Sequence, residues 1–235
     1  MKNHSNHSVS GILAIGAALV LPAAASAADP GFSFVELNYV NVDADYSEAY
    51  SEGGDSLSLK TDAGAGLQVG GAFEFGDHWH VYGEYSQADQ DVDFSAVIDG
   101  ESMTASGGFD VVRYRLGVGY AFEMSDVMQA YGRATLDGIE IKDFKLDGED
   151  LGDSDDDGFG AELGMLWAPM PALHLQAQVR YTSVGKLDEE SEDGFDSDVL
   201  FGVSGRWHFT EKLAVQAGYE AGDISTWQAG IRLAF

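Results

Sequence analysis

Between Val112 and Phe122 the chain alternates without a break. Val112, Tyr114, Leu116, Val118, Tyr120 and Phe122 fall on one side of an extended backbone, and Arg113, Arg115, Gly117, Gly119 and Ala121 on the other. A period of two is the mark of a strand, and about nine to eleven residues of tilted strand cross the hydrocarbon of a bilayer. The same alternation recurs over Phe32–Val42, Gly64–Phe75, Trp79–Ser86, Val127–Leu136, Phe159–Trp167, Leu173–Thr182, Val199–Phe209, Leu213–Glu220 and Trp227–Phe235.

The connections fall into two kinds. Four are tight, at Gly76–His78, Glu123–Asp126, Ala168–Pro171 and Thr210–Lys212, and read as hairpin turns. Four are long and acidic, at Asp43–Asp62, Ala88–Gly108, Glu140–Asp157 and Val184–Asp198, and Gly222–Ser225 is a fifth outer connection. Short and long connections in alternation, with an even strand count, predict an all-β transmembrane antiparallel barrel. It has ten strands, or eight if the hairpin of the last two is misread, with short periplasmic turns and long acidic extracellular loops. These outer connections hold 28 of the 40 acids, and they are expected to be mobile and to lack a core of their own.

Met1–Ala27 reads as a secretory signal: Lys2, an apolar stretch over Gly11–Leu21, Pro22, and Ala25-Ser26-Ala27 as a cleavage site. Residues 28–235 would then form the barrel, placed in the outer membrane of a Gram-negative envelope. No downstream run is long and apolar enough for a membrane helix. Cysteine is absent, which excludes disulfides, thiolate metal sites and thiol chemistry. With 12 Lys plus Arg against 40 Asp plus Glu, nucleic acid is excluded as a partner and cations or basic surfaces are favoured.

The second face of each strand decides between a soluble and a membrane barrel. It carries every arginine and is rich in glycine and alanine, a poor exterior for a soluble sandwich but a good filling for a narrow lumen. Arg113, Arg115, Arg133, Arg180, Arg206 and Arg232 are expected to interlock there with Glu36, Glu74, Glu84, Glu162 and Glu220. Trp79, Phe122, Trp167, Trp207 and Phe235 would form an aromatic belt on the turn side. Such a lumen is plugged; its alternative is a narrow, porin-like passage for ions or small solutes.

Two further patterns bear on chemistry. Asp153-x-Asp155-x-Asp157-Gly158 imitates the opening of a calcium loop, although Gly164 stands where that loop needs a glutamate. Glu189, Glu190, Glu192 and Asp193 form a second acidic run. Weak, multivalent calcium or magnesium binding, bridging to lipopolysaccharide, is the expectation, with no other cofactor. His80, His174 and His208 face inward near the periplasmic turns, beside no evident nucleophile, so no enzyme is expected.

The stretches FSFVELNYVNVDAD (Phe32–Asp45), HVYGEYSQADQD (His80–Asp91) and VVRYRLGVGYAFEMSDVMQAYGRA (Val111–Ala134) resemble small outer-membrane proteins of xanthomonads and their relatives. That family was once proposed to supply a secreted signal and an activator of plant immunity. The resemblance implies a single acidic barrel, found in outer membranes and shed vesicles, without established catalytic activity. The chain itself reads as a monomeric barrel contributing to envelope structure or to surface contact with a host or cell-surface ligand through its loops. The terminal segment Trp227–Phe235, with Tyr219, also resembles the signal read by the barrel-assembly machinery.

Overall fold

The computed structural model describes residues 31–44, 47–52, 55–98, 101–187 and 195–235. The leader Met1–Ala27 and the run Glu189, Glu190, Glu192 and Asp193 lie outside the described residues. The strands are β1 (Phe34–Ala44), β2 (Ser47–Glu52), β3 (Asp55–Phe75), β4 (Trp79–Ile98), β5 (Glu101–Ser125), β6 (Met128–Leu146), β7 (Glu149–Met170), β8 (Leu173–Leu187), β9 (Phe195–His208), β10 (Leu213–Ala221) and β11 (Ile224–Ala234). All pairings are antiparallel between sheet neighbours, and β1 pairs with both β11 and β3. That double pairing closes a barrel of ten strands, with β2 a short strand paired to the outer end of β3. Closure leaves no open edge, which hydrocarbon would not tolerate.

Each expected strand coincides with an observed one, overrunning its ends by at most two residues, in the expected inward and outward phase. The outer connections differ from expectation. Among the described residues, the connections over Ala88–Gly108 and Glu140–Asp157 are largely not loops but continuations of the strands, since β4 runs for 20 residues, β5 for 25 and β7 for 22. That is about twice the length a bilayer needs. The reason lies in the alternation, which persists through the acidic stretches. In Gln87–Ala96 the polar positions Gln87, Asp89, Asp91, Asp93 and Ser95 share one face, and Ala88, Val92 and Ala96 are buried on the other. Asp147-Gly148 supplies the β6–β7 hairpin turn, both residues at positive φ (51° and 83°), as a two-residue turn of the primed type requires. Among the described residues, β8 to β11 are shorter, so β3–β7 form a wall that projects beyond the membrane on one side.

The hairpins also carry a core that the sequence reading denied them. Val40, Val42, Ala88, Val92, Phe109, Val111, Ile139, Ile141, Val184 and Ile224 form one buried cluster, with Leu59, Phe144 and Leu146 packed against it. These residues follow, on the same inward faces, directly after the lumenal charges: Arg113 is followed outward by Val111 and Phe109, and Asp137 by Ile139 and Ile141. The outer mouth is therefore stoppered by aliphatic and aromatic side chains.

Outside, the membrane-spanning part is apolar. Val35, Leu37, Leu67, Val69, Phe73, Leu116, Val118, Leu136, Leu163, Phe201, Val203 and Ile231 are all exposed, while Glu36, Asn38, His80, Arg133, Glu162 and Arg180 are buried. This inversion of the soluble arrangement is what a lipid solvent selects. At the turn end Trp79, Phe122, Trp167 and Phe235 are exposed, and Trp207 is half-buried.

Candidate functional site: the lumen

The lumen is layered from the periplasmic turns outward. At the turn end Phe32 tucks inside and stacks on His80 with ring centroids 4.1 Å apart, and its edge meets Tyr131 at 5.3 Å. Phe34, Ala72, Tyr82, Ala121 and Leu166 complete this lower cluster. His174 and His208 lie close together, with centroids 4.2 Å apart.

The charged layer comes next. Glu162 accepts from Arg133 Nη1 at 2.9 Å and faces Arg115 Nη1 at 3.5 Å. Arg115 also donates from Nε and Nη2 to Glu84 (3.0 and 2.7 Å), and Tyr82 donates its hydroxyl to the same carboxylate at 2.5 Å. Arg133 donates its Nε to His80 Nε2 at 3.0 Å, and its guanidinium lies over the rings of Tyr82 (4.3 Å) and Tyr131 (4.5 Å). Glu36 takes Arg232 Nε at 2.8 Å and Nη2 at 2.5 Å, with Gln216 Nε2 at 3.0 Å. On the far wall Glu220 pairs with Arg180 at 2.7 Å and Arg113 at 3.7 Å, and Arg180 lies 3.6 Å from Asp137.

Thus the structure joins nine of the eleven residues proposed for the network in ion pairs, and Arg206 lies in the same lumen with a hydrogen bond to Gln176. Glu74 is the exception: it is half-buried at the turn-side rim, where its carboxylate accepts from the Phe32 backbone N–H at 3.3 Å. Asp137 is the acid that sequence reasoning missed. Its inward parity with Arg133 and Thr135 is the signal that would have found it, had the strand not been ended at Leu136.

Space for these long side chains comes from the small residues opposite. A Cβ on Gly119 would lie 2.4 Å from His80 Nε2, and one on Gly164 would lie 2.3 Å from the Tyr131 ring. What remains open is a cavity of about 80 Å³ bordered by Arg133, Glu36, Arg206, Arg232 and several glutamines. A space of that size holds a handful of water-sized groups.

The suspected calcium loop is not one. Asp153, Asp155 and Asp157 lie at alternate positions of β7, in an extended row that cannot converge on one cation. Asp153 accepts from the backbone N–H of Asp143, and Asp157 accepts from the Tyr114 hydroxyl. Among the described residues, no group of three or more His, Asp or Glu side chains is placed to hold a metal ion. The Tyr219 and Trp227 rings pack with centroids 4.7 Å apart, tilted by 38°, and the Phe235 backbone N–H donates to Ser33 O at 3.1 Å, which joins the chain end to the start of β1.

A closed antiparallel barrel, apolar outside and charged within, defines a transmembrane β-barrel protein. Over residues 11–230 the sequence matches the family described as outer membrane protein beta-barrel domain, and the chain belongs to that family. Its place is the outer membrane. No curated protein matches it. Solved structures to which it is similar include the outer membrane protein OprG from Pseudomonas aeruginosa, at 14% identity over 86% of this chain and 94% of that one, with a TM-score of 0.45. The KdgM porin in complex with disordered oligogalacturonate is 10% identical over 85% of this chain and 99% of that one, TM-score 0.43. Ail, the attachment invasion locus protein of Yersinia pestis, in complex with the heparin analogue sucrose octasulfate, is 16% identical over 87% of this chain and 100% of that one, TM-score 0.40.

Proposed function

We propose that this protein is a sealed, non-catalytic outer-membrane barrel that contributes to envelope structure and presents its β3–β7 wall for surface contact. The observation that carries this reading is the filling of the lumen. An aromatic layer, a paired Arg–Glu layer and an aliphatic stopper succeed one another, and the stopper closes the outer mouth. The projecting wall turns Asp89, Asp91, Asp93, Asp110, Asp153, Asp155 and Asp157 outward above the lipid. Such a surface repels polyanions and draws basic groups and, diffusely, the calcium or magnesium bridging lipopolysaccharide.

The same reading extends to export, assembly and oligomeric state. Residues 1–27 direct export and are removed. Tyr219, Trp227 and Phe235 engage the assembly machinery, the mature protein is a monomer, and it follows the membrane into vesicles. The likeness to xanthomonad barrels supports this architecture and place.

Single-channel recording in a planar bilayer tests the central claim. Protein shown to be folded by its heat-modifiable migration is expected to give no discrete steps, with or without calcium. Reproducible steps of fixed conductance would instead establish the narrow-channel alternative.

A further inference from the structure

We propose that the lumen binds one small monovalent anion, of halide or carboxylate size, against the guanidinium of Arg206. This goes beyond the sealed-barrel reading, because it assigns a ligand to the space that remains inside.

The first observation is a charge count. Six arginines face the lumen, and five acids face them there: Glu36, Glu84, Glu162, Glu220 and Asp137. Five arginines pair with those five acids. Arg206 makes no ion pair among the described residues, and its one hydrogen bond runs from Nη2 to the neutral Gln176 Oε1 at 2.7 Å. Glu36, the acid that acts most on it, is already held by two nitrogens of Arg232 and by Gln216. An arginine does not shed its proton in a protein, so the excess positive charge stays. A buried charge without a counter-charge is strongly unfavourable.

The second observation is placement. Arg206 is only 5% exposed, its Nε is buried without a partner, and it borders the open cavity. The wall around it is rich in donors: Gln176, Gln216, Gln228, Ser204 and Arg232 line the same space. Directly across from Arg206 on β8 stands His174, whose Nε2 is likewise unpartnered, as are both nitrogens of His208. Glu36, Glu84, Glu162 and Glu220 also border the cavity, but each is already engaged by arginine. Excess positive charge, free donors and a cavity of about 80 Å³ select a small anion and reject a cation or a large polyanion.

The test uses the full-length mature protein refolded in detergent. Its unfolding temperature is measured at constant ionic strength in sodium chloride, bromide, formate and acetate, and in the salt of a bulky organic sulfonate too large for the cavity. Small anions are expected to raise the midpoint by about 3 °C per tenfold concentration once the site is filling. A larger rise in formate or acetate than in chloride assigns a carboxylate, and the reverse assigns a halide. Crystals soaked in bromide are expected to show an anomalous peak in contact with the Arg206 guanidinium. Arg206→Met is expected to abolish the small-anion effect, whereas Lys212→Gln at an exposed turn leaves it intact. Equal midpoints in chloride and in the sulfonate, with no bromide peak in the wild-type lumen, overturn the proposal whether or not Arg206→Met folds. Conductance through the barrel does not enter either arm, so the sealed-barrel reading stands or falls separately.

Discussion

Replacing Glu162 by glutamine is the sharpest test of how this lumen is held together. Glu162 is 2% exposed and is, among the described residues, the only carboxylate that Arg133 touches, at 2.9 Å, while it lies 3.5 Å from Arg115. Glutamine keeps the shape and removes the charge. Arg115 retains Glu84 at 2.7 Å, but Arg133 is left as a buried cation without a counter-charge. Breaking one half of a buried ion pair costs about 3–5 kcal/mol. Arg133 keeps its hydrogen bond to His80 and its place over the Tyr82 and Tyr131 rings, each contact offsetting about 0.5–2 kcal/mol. The loss is therefore expected near the lower end, about 3 kcal/mol. Urea unfolding of barrels refolded into phospholipid vesicles, read by tryptophan fluorescence and heat-modifiable migration, measures it. The double variant Glu162→Gln/Arg133→Met removes both charges and is expected to recover more than half of the loss, a coupling that a double-mutant cycle isolates. By contrast, neutralising Asp62 in the exposed Lys60–Asp62 pair is expected to cost under about 1 kcal/mol. A loss below about 1 kcal/mol for Glu162→Gln would refute the view that paired charge organises the lumen.

Four further outcomes follow from other layers. Ile139→Ala, in the outer stopper, is expected to cost about 2–4 kcal/mol in the same assay, while Leu57→Ala on the exposed hairpin stays within about 0.5 kcal/mol. Gly164→Val forces a Cβ to within 2.3 Å of the Tyr131 ring and is expected to cost at least about 1–3 kcal/mol, seen as a lower urea midpoint. The hydrogen bond and charge of Asp110 hold the Asp89 carboxyl above its usual range, outside the membrane. A raised folded value means that the folded state binds the proton more tightly, so this pair weakens the fold at neutral pH and ceases to do so as pH falls through that value. Asp89→Asn should thus raise the unfolding midpoint at pH 7 and change it progressively less toward pH 4, within the carboxylate range. Deleting Phe235 is expected to reduce the heat-modifiable, membrane-inserted fraction in cells; unchanged insertion would show that the terminal aromatic is dispensable for assembly.

Strand positions and facing were legible because both rest on a period of two, which neither twist nor closure disturbs. The inward arginines were legible for the same reason, since Arg113 and Arg115 share parity with Gly117 and Gly119, where no side chain competes for the space. Their partners were less so. Asp137 belongs to the charged layer, and it was lost with the end of its strand, which was placed where hydrophobicity on the outward face stops. The calcium-like spacing of Asp153, Asp155 and Asp157 misled for the converse reason. Alternate carboxylates mark a cation loop only if the backbone curls around the ion, whereas in β7 alternation simply puts them in a row on one side.

The hidden outer core shows what the acidic composition concealed. Along β1 the inward residues change from Glu36 and Asn38 to Val40 and Val42, while the outward ones change from Leu37 and Tyr39 to Asn41 and Asp43. In β4 the inward Glu84 and Ser86 give way to Ala88 and Val92 as the outward Val81 and Tyr85 give way to Gln87 and Asp89. In β6 Arg133 and Asp137 yield inward to Ile139 and Ile141 as Leu136 yields outward to Glu140 and Lys142. The alternation never stops; its polarity reverses. Within the bilayer the solvent is hydrocarbon, and polar groups must go inside and pair. Beyond it the solvent is water, and the same sheet must bury its apolar face instead. The reversal falls at Tyr39, Tyr85 and, in β5, Tyr114, aromatic side chains suited to an interface. The outer boundary of the membrane is thus written along β1, β4, β5 and β6 as a change of sign. The stopper above the charged layer follows from one continuous sheet passing between two solvents.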